Sequence, residues 1–418
     1  MGLSGKTITL AAAAALALTT LFGSSTAAEG AAQTWFTSWA ESQQDLAGVT
    51  LNHQSLRMIT HLSQGGDAIR VRVQNTFGTA PLTVDQATEG ISAGGSAVTA
   101  PAPVTFGGKP SVTVPAGGEV WSDDTPLATS PDQDVAISLY VAGTAVPGEH
   151  SSALRDNYLT PSGSGSHVAD TSGSAYTQKT GATYLVSAVD VHNPRLTGTI
   201  VPFGSSVVDG TGSTNCGPGC TETGTNRRWA DDLARRIVAA TGQLAVANAG
   251  IGGTTSAASC PGMPEGVKGL DALSRLERDV LALHGVTAVI YYYGTNDLAD
   301  SCTAAPILDS YHQVFQCLRN AGIKVYVTPI TPRPGYSDQN NRDRHTVGLF
   351  VKQGNNCSGT CTATIDFDQV LADPISPNRI DPSYDNGDGI HANIAGQQAL
   401  ADFVSLPMLA GNPAPWRH

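Results

Sequence analysis

Four short clusters in the second half of the chain combine residue types that perform acyl transfer. FGSSVVDG spans residues 203–210, NAGIGG 248–253, YGTND 293–297 and DGIH 388–391. Between them they offer a hydroxyl, closely spaced glycines, a side-chain amide, and a carboxylate three residues before an imidazole. A serine hydroxyl is a poor nucleophile until a neighbouring base takes its proton. Histidine, which titrates near neutrality, is the usual base, and a carboxylate on its other ring nitrogen sets tautomer and orientation. Asp388 precedes His391 at a spacing that reaches Nδ1 across a turn. Attack on an ester carbonyl creates an oxyanion that needs fixed donors. The Ser206 amide, the Gly253 amide (or that of Gly252) and the Asn296 side chain are the candidates. Each residue also has a plain structural use: a turn serine, an Asp helix cap, a left-handed Asn, a turn glycine. One cluster alone is a weak signal; four in series weigh towards a site.

Such clusters need a scaffold that brings distant segments to one edge. From residue 194 onward, short apolar runs at 198–203, 244–248, 287–293, 323–328 and 364–367 alternate with amphipathic stretches. The latter lie at 227–240, 270–283, 306–320, about 342–352 and 393–404, with Gly242 and Gly322 where helices should stop. This alternation predicts a parallel sheet covered on both faces, with ligands gathering at the carboxyl ends of its strands. The first three clusters fall at those ends, and DGIH falls just before the last helix. Residues 29–193 read differently. Period-two runs such as AIRVRV (68–73) and VAISLYV (135–141), separated by Gly, Pro and Asp, predict an antiparallel sandwich or jelly roll. The Ser/Gly/Thr-rich stretch 160–181 is expected to be a long surface loop. Trp35 and Trp39 are expected to pack the sandwich, with sugar binding as the alternative, and Tyr291, Tyr292 and Tyr293 to pack a core strand. Asp209 and Asp297 read as scaffold, and the nine histidines other than His391 as surface or loop residues.

With 418 residues the chain accommodates two domains, 29–193 and 194–418, and its 40% hydrophobic residues suffice for cores. A net charge of −12 without a basic cluster argues against a nucleic-acid partner. Lys6, an apolar run over 8–22 and small residues up to Ala28 describe a secretory signal of residues 1–28, cut after Ala27 or Ala28. That run is short for a bilayer span, and no later stretch is long enough. The expected location is therefore extracellular. Export makes the seven cysteines disulfide candidates. Cys216 with Cys220 and Cys357 with Cys361 would staple local loops, and Cys302 with Cys317 would leave Cys260 unpaired. Connectivity is not readable from spacing, so Cys260 with either of the last two stays open. No histidine or cysteine pattern matches a zinc site, so no metal is expected.

In this order the clusters resemble the blocks of the SGNH hydrolases, also called GDSL esterases. FGSSVVDG resembles FGDSITDG, whose register with Asp209-Gly210 places the nucleophile at Ser206, with Ser205 as the alternative; NAGIGG is similar to the second block, ending at Gly253. GTND resembles G-x-N-D and assigns Asn296; DGIH resembles D-x-x-H and assigns Asp388 and His391. The likeness covers about 197–406, and the first half is similar to the sandwich that precedes some members. It implies a flavodoxin-like doubly wound parallel sheet preceded by an antiparallel β-sandwich or jelly roll. It also implies ester hydrolysis through an acyl-enzyme without a cofactor, on lipid, phospholipid, aryl or acetylated-carbohydrate esters. The sandwich tilts this towards polysaccharide-linked esters. Three positions depart from the pattern: Ser205 replaces Asp, Val208 replaces Thr, and Ala392 replaces Pro. A G-x-S-x-G elbow of the α/β-hydrolase type is excluded, because Val208 stands where its second glycine belongs. Other readings are an inactive extracellular glycan-binding protein, with Ser205 marking a dead site, a lipase or phospholipase for longer acyl chains, and a peptidase.

Overall fold

Alternating apolar residues build the first region of the fold, and a computed structural model describes residues 34–410 apart from 241, 353 and 354. The expected signal segment lies outside the described residues. The principal strands of the first region are β1 (Trp35–Ala40), β2 (Leu51–Leu62), β3 (Ala68–Gln74), β4 (Gln86–Ser92), β5 (Val98–Pro103), β6 (Glu119–Trp121), β7 (Gln133–Ala145), β8 (Asn157–Leu159), β9 (Gln178–Thr180) and β10 (Val186–His192). They form two antiparallel sheets, ordered β1-β10-β3-β6 and β9-β8-β2-β7-β4-β5. Because successive side chains point to opposite faces, Ile69, Val71 and Val73 share one side of β3, and Val135, Ile137, Leu139 and Val141 one side of β7. These residues meet in one buried cluster with Leu56 and Met58, which lie opposite Leu139 and Ile137 across the β2–β7 ladder. Trp39 joins this cluster, whereas Trp35 stacks on the Arg70 guanidinium 4.1 Å from its ring centroid. The stretch 160–181 is more than a surface loop: Val168 and Tyr176 are buried, and the Arg57 guanidinium lies 4.2 Å from the Tyr176 ring centroid.

The second region is a parallel sheet of β11 (Gly198–Gly204), β12 (Leu244–Val246), β13 (Val286–Tyr292), β14 (Lys324–Val327) and β15 (Ala363–Thr364). Its order β12-β11-β13-β14-β15 is the 2-1-3-4-5 winding of flavodoxin-like folds, as the family resemblance implies. The helices used below are α1 (Ser206–Asp209), α2 (Trp229–Ala240), α3 (Ala272–Leu276), α4 (Thr295–Ala299), α5 (Ala304–Asn320), α6 (Asp338–Lys352), α7 (Phe367–Leu371) and α8 (Ile394–Phe403). Val201, Phe203, Val289 and Tyr291 enter a core with Tyr311, Val314, Phe315 and Val347 of α5 and α6. Their neighbours Ile200, Ile290 and Tyr292 enter a second core with Trp229, Leu233, Phe367 and Leu400 of α2, α7 and α8. Burial on both faces explains why these strands read as continuous apolar runs. It also accounts for the tyrosine run: Tyr291 and Tyr293 pack one face and Tyr292 the other.

Two element predictions shift. The fifth strand is only Ala363–Thr364, because Phe367 already begins α7. The stretch 270–283 is α3, capped by the Asp271 side chain on Ser274 N, followed by a π-helical turn Glu277–Leu281. Hydrogen bonds tie the two regions together: Thr37 N donates to His284 O (3.1 Å), Gln64 Nε2 to Leu244 O (2.8 Å) and Val246 N to Ser63 Oγ (2.9 Å). No helix among the described residues is long and apolar enough to cross a membrane.

The cysteine pairing needs one correction. Cys216–Cys220 and Cys357–Cys361 form the local staples, but Cys302 bonds Cys260, their Cα atoms 4.8 Å apart. Cys317 is free and exposed. Helical period explains this: on α5, Val314, Phe315 and Leu318 face the core, which turns Cys317 outward.

Candidate active site

Strand β11 ends at Gly204, Ser205 caps α1 without a side-chain hydrogen bond, and Ser206 opens that single helical turn. The neighbouring chain passes so close that a Cβ on Gly250 would lie 2.1 Å from Asp209 N, so only glycine fits in NAGIGG at this point. DGIH is a tight turn entering α8. Asp388 Oδ1 accepts the amides of Ile390 (2.8 Å) and His391 (2.9 Å), which leaves Oδ2 to accept from His391 Nδ1 at 2.7 Å. Burial pushes the Asp388 carboxyl up, but the His391 side chain and these two amides outweigh it and hold the group below its ordinary value. Asp388 is therefore the ionised partner of the imidazole. With Nδ1–H donating to it, Nε2 is left to accept, and the Ser206 hydroxyl stands 2.8 Å away. Ser205 Oγ is buried and has no partner, so the imidazole addresses Ser206 and not its neighbour.

Asn296 stands at the start of α4, where β13 has ended. Its Nδ2 donates to Thr254 O (2.9 Å), and its Oδ1 accepts from Arg333 Nη1 (3.2 Å). Both ends of the amide are thus held, and one Nδ2 hydrogen remains for a ligand. Of the two candidate glycines, Gly252 lies closer to the nucleophile: a Cβ built there falls 3.9 Å from Ser206 Cβ, whereas one on Gly253 faces Val267. The Ser206 N–H belongs to the first turn of α1, where no intrahelical acceptor exists. Four of the predicted residues, Ser206, Asn296, Asp388 and His391, therefore come from three strand or helix termini, and Gly253 lies on the loop that begins with NAGIGG.

Two supporting residues, Arg275 and His150, escaped sequence reasoning, whereas Asp297 has the scaffold role read for it. Arg275, fully buried on α3, donates to Gly204 O (2.7 Å) and Ala249 O (2.8 Å) and pairs with Asp279 (2.9 Å). It fastens together the chain ends that carry the first two clusters. Asp297 acts as scaffold: it accepts Ser256 N, Ser256 Oγ (2.7 Å) and Ala257 N (2.9 Å), which ties α4 to the loop after NAGIGG. The expectation of surface or loop histidines fails at His150. This residue of the antiparallel region is buried, with Nδ1 bonded to Ser42 O (2.9 Å) and Nε2 3.1 Å from Asp209 Oδ1. Burial alone would lower its pKa, but the Asp209 carboxylate, with Glu41 and Ser42 O behind it, raises it to about 9. His150 is thus an imidazolium paired with the residue that ends the nucleophile's helix. A lone histidine far away in sequence carries no spacing signal that would reveal this.

Residues 203–399 match the family described as GDSL-like Lipase/Acylhydrolase, so the C-terminal half carries a GDSL-like acylhydrolase domain. No curated protein matches the chain. Solved structures similar to it include a lipase/acylhydrolase from Enterococcus faecalis, at 19% identity and TM-score 0.37, covering 49% of this chain and 92% of that one. The esterase EstA from Pseudoalteromonas sp., inhibited by monoethylphosphonate, is 18% identical over 51% of this chain and 99% of its own, with TM-score 0.37. A family two carbohydrate esterase from Clostridium thermocellum, in complex with cellohexaose, covers 91% of this chain and 95% of its own at 12% identity and TM-score 0.40.

Proposed function

We propose that the chain is a secreted serine esterase that hydrolyses carboxylic esters through an acyl-enzyme on Ser206. The observation that carries this reading is the unbroken relay from Asp388 through His391 to the Ser206 hydroxyl, at 2.7 and 2.8 Å. His391 Nε2 takes the hydroxyl proton as Ser206 Oγ bonds to the acyl carbon, and the imidazolium that forms is stabilised by Asp388. The carbonyl oxygen becomes an oxyanion facing the free Nδ2 hydrogen of Asn296, the Ser206 N–H and a glycine amide of the 252–253 turn. Its collapse expels the alcohol, which receives the proton from His391. Water then loses a proton to His391, attacks the acyl carbon and releases the acid, with the proton returned to Ser206. Every proton in the cycle is accounted for by these side chains. Substrates are sought among aryl, lipid and acetylated-carbohydrate esters.

The test is turnover of 4-nitrophenyl esters from acetate to palmitate by the parent, Ser206→Ala and Ser205→Ala. Turnover by the parent and by Ser205→Ala, with a drop of about 10⁴-fold or more in Ser206→Ala, is expected. Equal activity of parent and Ser206→Ala would refute the serine mechanism. Absence of turnover by the parent across the series would favour the glycan-binding reading.

A further inference from the structure

The loop after β14, residues 329–337, is braced against both halves of the site. Tyr336 OH donates to Thr295 O (2.7 Å), one residue from Asn296. The Pro334 ring lies against the turn that carries the imidazole, so that a Cβ on Gly389 would fall 2.8 Å from Pro334 Cγ. Immediately before these two braces comes Arg333, the single charged residue of the sequence PITPRPGYS. Its Nη1 donates to Asn296 Oδ1 (3.2 Å), and no carboxylate lies within ion-pair distance of it among the described residues. Asp300 is the acid that feels its field, through space rather than by contact. The other arginines near the site are engaged: Arg275 with Asp279, and Arg228 with Glu41. In a chain of net charge −12, this guanidinium, next to the amide expected to hold the oxyanion, makes one side-chain hydrogen bond and no ion pair among the described residues. A planar fork with five N–H groups then has four without a protein partner among the described residues.

We infer that Arg333 is the specificity residue of this site and that its preferred substrates are esters with an anionic group, a carboxylate or a phosphate, close to the scissile carbonyl. This inference rests on the esterase reading above and deepens it. An arginine fork matches both anions in a bidentate arrangement, and the bond is charge-assisted. The anion can sit on the acyl part or on the alcohol, and the two cases separate experimentally.

The experiment compares kcat/KM for matched pairs, with spontaneous hydrolysis subtracted. On the acyl side the pair is 4-nitrophenyl hemiglutarate and 4-nitrophenyl valerate; on the alcohol side it is 4-carboxyphenyl acetate and phenyl acetate. The parent should prefer the anionic member of at least one pair by about tenfold, as a charge-assisted hydrogen bond at a half-exposed site warrants. Arg333→Met should erase that preference, Arg333→Lys should retain part of it, and raised salt should weaken it in the parent. Because the readout is the anionic-to-neutral ratio within one protein, any loss that passes through Asn296 cancels. No preference in either pair, or an equal fall for both members in Arg333→Met, would overturn the proposal. Turnover of the neutral esters, lost in Ser206→Ala, tests the esterase reading separately.

Discussion

Replacing His150 by glutamine keeps a donor near Asp209 but removes the positive charge from a fully buried pair. The folded pKa of His150 is about 9 against an ordinary 6.5, so folding stabilises its protonated form. Its contribution is therefore complete below about pH 6.5 and disappears as the pH rises through 9. At about 1.4 kcal/mol per pKa unit, that interval corresponds to roughly 3 kcal/mol. The figure agrees with the cost of about 3–5 kcal/mol for removing one partner of a buried ion pair. The assay is urea unfolding of the parent and His150→Gln between pH 6 and 10. The parent should be more stable at pH 6 by roughly 3 kcal/mol beyond the difference that remains at pH 10, with the gap closing by up to about 1.4 kcal/mol per pH unit. His61 titrates in the same window: burial lowers its pKa, but hydrogen bonds with Asp132 and Asp134 raise it to about 9. It is present in both proteins and cancels in the difference. A stability gap that is flat with pH, or one that widens as pH rises, would refute the charged-pair argument.

Two further outcomes test the frame around the site. Cys260→Ser opens a disulfide that closes a separation of 42 residues, which by loop entropy should cost about 4 kcal/mol in thermal or urea unfolding; an unchanged midpoint would refute it. Gly389→Ala puts a Cβ at φ +73 and against Pro334, a strain of about 1–2 kcal/mol or more, and should lower kcat by at least about tenfold with far-UV circular dichroism unchanged. Full activity in that variant would show that the imidazole turn does not depend on the brace.

Much of the molecule was legible because the signals are local. Period-two runs such as 135–141 became β7, and the apolar runs of the second half became strands of a parallel sheet, since burial on one face or on both writes itself into adjacent residues. The DGIH spacing likewise put Asp388 beside His391, because three residues across a turn leave few other arrangements. Where the local signal was thin, the reading slipped: the run 364–367 is apolar enough for a strand, yet only two residues pair before Phe367 turns into α7.

Contacts between distant segments were beyond the sequence. Spacing left Cys260, Cys302 and Cys317 interchangeable, and only the outward face of α5 removed Cys317 from the choice. The histidine at 150 shows no motif, yet it meets Asp209 across 59 residues and between two regions of the chain. Arg333 gives no sign of its place beside Asn296 until the loop after β14 is folded onto both catalytic turns. Residue order therefore determined which groups the protein owns and the local turns that present them. Tertiary structure decided which charges are paired, because pairing depends on distance in space, and chain separation carries almost no information about that distance.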